Sequence, residues 1–134
     1  MRHVLLQAAS ALALGIVPAL GIAPAAADVA LGKAAFDRAC ASCHSVEPGK
    51  HGTGPSLAGV LGAKSATAKG FSYSPAMIAA DLTWTEATLD AYLATGARSG
   101  GGDQLLHGVD MSFRGLAAGD RAALLAYLRS LPSR

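Results

Sequence analysis

The chain is poor in several things at once. Past Ala27 it has only four valines and one isoleucine, so a β-sheet core lacks the branched residues it is built from. Aromatic residues make up 5% of the chain and charged residues 15%. Neither sign of charge dominates: eleven Lys plus Arg stand against nine Asp plus Glu, and without Arg2 ten stand against nine. That balance gives no sign of a nucleic-acid or membrane-surface binder. Cysteine is limited to Cys40 and Cys43, which excludes a multi-bridge disulfide scaffold.

What is abundant is unevenly placed. No charged residue occurs from Val4 to Ala27, while Arg2 precedes the run and Ala25-Ala26-Ala27 ends it before Asp28. A charged start, an apolar middle and a small-residue end read as an export signal over residues 1–27, leaving a single domain over 28–134 in the periplasm. The rival reading is a retained membrane anchor; Gly15, Pro18 and Gly21 weaken it. In an oxidising compartment two thiols are not expected to stay free.

Alanine and leucine dominate the remainder, and the pattern predicts an all-α domain. A first helix is expected over Ala30 to Ala41. A second follows "TWTE", where Thr83 is the expected cap and Glu86 its capping-box partner, and it stops at Gly96. A third spans Ala118 to Ser130, with Leu124, Tyr127, Leu128 and Leu131 on one stripe. A short turn covers Pro75 to Ala80 behind Ser74. The glycine-rich stretches 45–73 and 97–115 are too long for bare loops in so small a domain. A thin helical core and long loops together imply that a large non-protein group fills the middle.

"CASCH", Cys40 to His44, identifies that group. A redox dithiol needs a βαβ setting. A zinc site needs four ligands, and a disulfide across two residues closes almost no chain entropy. Cys-x-x-Cys-His is the attachment pattern of haem c. Two thiols one turn apart meet one edge of the porphyrin as thioethers, and His44 becomes the proximal iron ligand.

With these residues in view, the chain from Asp28 onward resembles the class I cytochromes c, the family of mitochondrial cytochrome c and its soluble bacterial relatives. "GKAAFDRACASCH", "HGTGPSLAGVLG", "GFSYSPA", "LTWTEATLDAYL", "DMSFRGL" and "LLAYLRSL" carry the likeness across nearly the whole domain. The resemblance implies three main helices and a short one around one covalent haem. It implies that the Pro55 carbonyl accepts from His44, that Tyr73 and Trp84 bond a haem propionate, and that Tyr92 lies beside the axial methionine. Gly32 and Phe36 would pack on Leu124 and Tyr127. The chain departs from the mitochondrial pattern in having extra residues between Tyr92 and Met111, including Gly100-Gly101-Gly102. It also has Met77 where asparagine is common and Ala63 where arginine is common.

Four side chains compete for the sixth iron position. Met77 reads as core filler and His51 as a loop-backbone partner near Pro55. His107 is the rival to Met111, which is favoured by Phe113 two residues on and by the His/Met pairing of this fold. Two axial ligands leave no open coordination site, which points to a one-electron carrier, not an enzyme. A haem subunit of a dehydrogenase complex, or a haem protein with a displaceable sixth ligand, are the alternatives. The expected partners are a protein electron donor and acceptor, with transient contact to membrane complexes, and the expected state is a monomer.

Overall fold

A computed structural model describes residues 26–96 and 113–133. Four helices follow in chain order: α1 (Ala26–Ala39), α2 (Pro75–Ala79), α3 (Glu86–Thr95) and α4 (Ala118–Ser130). Among the described residues the one departure from helix and loop is an isolated antiparallel bridge between Lys64 and Thr83, and no helix is long and apolar enough to cross a membrane.

α1 starts earlier than the sequence pattern suggests, because Ala26 and Ala27 continue its alanine-rich character backwards. Asp28 in its first turn and Arg38 in its last both favour the helix dipole. It crosses α4 at Gly32, where a Cβ would collide with the Ala123 carbonyl oxygen and lie 2.6 Å from the Tyr127 Cβ. Glycine is therefore what lets the two backbones touch. Phe36 then meets Tyr127 with ring centroids 5.9 Å apart, and Leu124, 1% exposed, lies at the centre of the core.

α4 has the expected boundaries, and its stripe buries Leu124, Tyr127 and Leu128. α3 corrects one detail. Its cap is Thr85, whose side chain accepts from the Thr88 N–H at 3.1 Å. Thr83 is committed elsewhere: its backbone forms the bridge to Lys64 and its carbonyl accepts from the Thr88 hydroxyl at 2.7 Å. The Thr83–Glu86 capping box is thus not formed.

The bridge belongs to a short ladder that fixes Trp84. Gly62 N–H donates to the Trp84 carbonyl (2.9 Å), Trp84 N–H to Ala63 (2.8 Å) and Ser65 N–H to Leu82 (2.8 Å). α2 begins at Pro75 behind a Ser74 cap, buries none of its residues and packs on no other helix. Ile78 on it is 61% exposed.

Candidate functional site

The α1 backbone tightens after Ala39 into a single turn. Cys40 N–H donates to Phe36 (2.8 Å), Cys43 N–H to Cys40 (3.1 Å) and His44 N–H to Cys40 (2.9 Å). The two thiols therefore sit one turn apart, and neither is in a disulfide. Burial pushes the Cys40 thiol up to about 11. A redox-active cysteine needs the opposite shift, towards thiolate.

His44 is held from two sides. Its Nδ1 lies 2.7 Å from the Pro55 carbonyl oxygen; a carbonyl only accepts, so Nδ1 carries the proton and Nε2 keeps its lone pair. The segment 52–55 wraps the ring: Gly54 N–H donates to the Cys43 carbonyl at 2.8 Å and Gly52 N–H to the Gly54 carbonyl at 3.0 Å. A Cβ on Gly54 would collide with the His44 Cε1 and lie 2.7 Å from both ring nitrogens. Gly54 was not singled out from sequence, although "GTGP" carries the signal in a glycine directly before the proline.

The remaining expected residues occupy two further clusters. Trp84 and Tyr92 are both buried, with ring centroids 5.4 Å apart, and burial pushes the Tyr92 phenol up to about 12. Tyr73 is half-buried; its hydroxyl accepts from the Ala68 N–H at 3.2 Å and its ring stands edge-on to Phe71 at 4.9 Å. Met77 is partly buried against the core. Met111 and His107 lie outside the described residues.

His51 serves the loop. Its Nδ1 accepts from the Ser56 N–H at 3.0 Å, and its Nε2 donates to the Lys69 carbonyl at 2.8 Å. Both nitrogens are used, which leaves none for iron. A cavity of about 540 Å³ opens beside His51, Ser56 and Lys69, and none of Cys40, Cys43 and His44 lines it.

These residues suit a large, flat, apolar group bound through iron. Two reduced thiols one turn apart, an imidazole whose Nδ1 faces the Pro55 carbonyl, and partly buried apolar residues packed on the core (Val46, Leu57, Leu61, Met77, Leu82 and Phe113 among them) are present together. Apolar side chains left partly exposed beside the core are compatible with an apolar ligand.

Residues 29–132 match the family model described as Cytochrome c. The chain is similar to cytochrome c2 iso-2 of Magnetospirillum fulvum, 47% identical over 93 residues, or 69% of this chain and 91% of that protein. It is similar to the cytochrome c of Chlamydomonas reinhardtii, 42% identical over 106 residues, covering 78% of this chain and 89% of the other. It also matches the cytochrome c-type cyt cy of Rhodobacter capsulatus, 41% identical over 106 residues, where it spans 50% of the relative's length.

Proposed function

The chain belongs to the cytochrome c family, electron-transfer proteins that carry covalent haem c, and on that premise we propose that it is a periplasmic monohaem one-electron carrier. Cys40 and Cys43 hold the porphyrin as thioethers, His44 is the proximal ligand and Met111 the sixth. The observation that carries this reading is the His44–Pro55 hydrogen bond, 2.7 Å long. It fixes the imidazole tautomer that leaves Nε2 ready for a metal.

Bound haem supplies a one-electron couple at its iron. The protein's part is to hold the ligands still and keep water out. His44 is clamped by Pro55 and Gly54, so its ring stays aimed when the iron changes charge. Trp84 is pinned by backbone bonds on both sides, so it presents a fixed wall, and Tyr92 packs against it. Trp84 and Tyr73 are assigned to a propionate. Thioether and imidazole ligation together favour the reduced state.

Residues 1–27 are assigned as the export signal and 28–134 as the mature monomer. Its partners are a protein donor and a protein acceptor, with no role for nucleic acid. The charge arrangement supports partners that are not strongly acidic. Among the described residues six ion pairs form: Lys33–Asp37, Arg38–Asp120, Lys50–Glu47, Lys64–Asp81, Arg121–Asp90 and Arg129–Glu86. Most of its cations are therefore answered within the chain itself.

The test is haem loading. The wild-type chain, produced with a cytochrome c maturation system, is expected to retain haem after denaturation and acid extraction and to titrate with one electron. The Cys40→Ala/Cys43→Ala chain is expected to retain none and to show weak helical circular dichroism. A fully helical, cooperatively folding double variant without haem would overturn the role of the cofactor as core.

A further inference from the structure

The peptide unit between Pro55 and Ser56 is gripped by two imidazoles at once. On one side its carbonyl oxygen lies 2.7 Å from His44 Nδ1, and on the other its N–H donates to His51 Nδ1 at 3.0 Å. The bond is trans, so its C=O and N–H point in opposite directions and the plane stands between the two rings. His51 is anchored further out, where its Nε2 donates to the Lys69 carbonyl at 2.8 Å. One line of hydrogen bonds thus runs from the His44 ring through the Pro55–Ser56 peptide and the His51 ring to the Lys69 carbonyl.

The partners fix one tautomer at each ring. An amide N–H only donates, so His51 Nδ1 bears the lone pair and its Nε2 the proton; a carbonyl only accepts, so His44 Nδ1 bears a proton. Every donor in the line therefore points the same way, outwards from His44. That is the arrangement in which successive hydrogen bonds polarise one another. The line is also held in place. Ser56 is 2% exposed, and its hydroxyl donates to the Glu47 carbonyl at 2.7 Å. Leu57 N–H donates to the Ser45 carbonyl at 2.8 Å, and the Phe71 ring lies against His51 with centroids 5.5 Å apart.

We propose that His51 is a positioning residue that acts on the iron ligand through this peptide: by accepting from the Ser56 N–H it polarises the shared unit, and the Pro55 carbonyl then draws harder on the His44 proton. This rests on His44 being an iron ligand. A more strongly bonded Nδ1–H makes the imidazole a better donor at Nε2. Stronger donation favours the oxidised iron, so His51 holds the reduction potential below the value that Pro55 alone would set.

The experiment uses the holoprotein with His51→Gln, His51→Asn and His51→Leu, read by redox titration and by NMR of the ferrous form. Side-chain length separates the two roles of the ring. The glutamine amide nitrogen reaches as far as Nε2 and can keep the bond to Lys69, with no acceptor where Nδ1 stood. The asparagine oxygen stands near Nδ1 and can keep the Ser56 bond, but the side chain is too short for Lys69. His51→Gln and His51→Leu are expected to shift the one-electron equilibrium about twofold towards the reduced form, about 18 mV at 59 mV per tenfold. The His44 Nδ1 proton signal should move upfield in both. His51→Asn should keep the wild-type potential and proton signal while its melting temperature falls, because the tie to Lys69 is gone. Potentials that follow the melting temperature instead, with His51→Asn shifted as far as His51→Gln, would make His51 a loop tie only, and the proposal falls; so would no shift in any variant. In the wild type a scalar coupling between the Ser56 amide nitrogen and His51 Nδ1 is expected, and its absence would overturn the proposal without any variant having to load haem. A His44→Ala chain that still carries low-spin haem at the wild-type potential would instead overturn the ligand assignment beneath it.

Discussion

His44 and Pro55 stand eleven residues apart in the chain and 2.7 Å apart in space, with Nδ1 donating to the carbonyl oxygen. The bond survives only because Gly54, beside the ring, has no side chain. Gly54→Ala should therefore act on the imidazole before anything else. Forcing a methyl into this contact costs about 1–3 kcal/mol if the ring shifts to make room. The expected result is a severalfold lower yield of haem-loaded protein, with high-spin features in the loaded fraction. Wild-type yield and a low-spin spectrum would show that the ring is not held from this side.

Met111→Ala should leave haem attached, lower the reduction potential and open the iron to cyanide or carbon monoxide. Loss of a thioether removes the ligand that favours the ferrous state. If His107→Ala has these effects and Met111→Ala has none, the sixth ligand is the histidine.

Alkaline stability should report on Tyr92. Burial raises its phenol from 10.0 to about 12, so the unfolded chain loses this proton at lower pH than the folded one. The stabilisation is fully present below pH 10 and is lost as pH rises from 10 towards 12. The loss across this window is on the order of 2 kcal/mol. Denaturant titrations of wild type and Tyr92→Phe should diverge there, the phenylalanine variant keeping the flatter profile. Parallel profiles would show that the Tyr92 phenol ionises over the same pH range in the folded and unfolded chains.

Salt should matter little for electron transfer. With net charge near balance and the ion pairs above, long-range attraction to an acidic partner is weak. Rates with the natural acceptor should change by less than about tenfold between low and physiological ionic strength, where the screening length is about 8 Å. Stopped-flow rates that drop a hundredfold over this range would reveal a concentrated basic patch.

Local signals in the sequence were strong where the chain's chemistry is local. Cys40, Cys43 and His44 lie within one turn, and the α4 stripe with Pro132 after it sets both ends of that helix. The start of α1 was harder, because Ala26 and Ala27 belong equally well to a helix and to the tail of an apolar run. Thr83 and Thr85 look alike as caps in "TWTE". Pairing with Lys64, nineteen positions back, decides between them by committing the Thr83 backbone. The Arg121–Asp90 tie spans 31 residues and leaves no pattern in either helix. Gly54 was overlooked for the same reason, since its importance lies in a ring that folds back onto it.

Gly96 and Gly115, which flank residues 97–112, meet backbone to backbone, with the Gly115 nitrogen 2.6 Å from where a Cβ on Gly96 would stand. Once Gly96 and Gly115 are joined, each doubling of the span between them costs only about 0.6 kcal/mol of closure entropy. Added length between α3 and α4 is therefore cheap in closure entropy, provided the stretch that carries Met111 is left whole. The extra residues that separate this chain from the mitochondrial pattern fall inside that span. Insertions there are cheap for descent to accumulate, and the same place is where an engineered epitope or metal-binding peptide should be accepted with the helical frame intact.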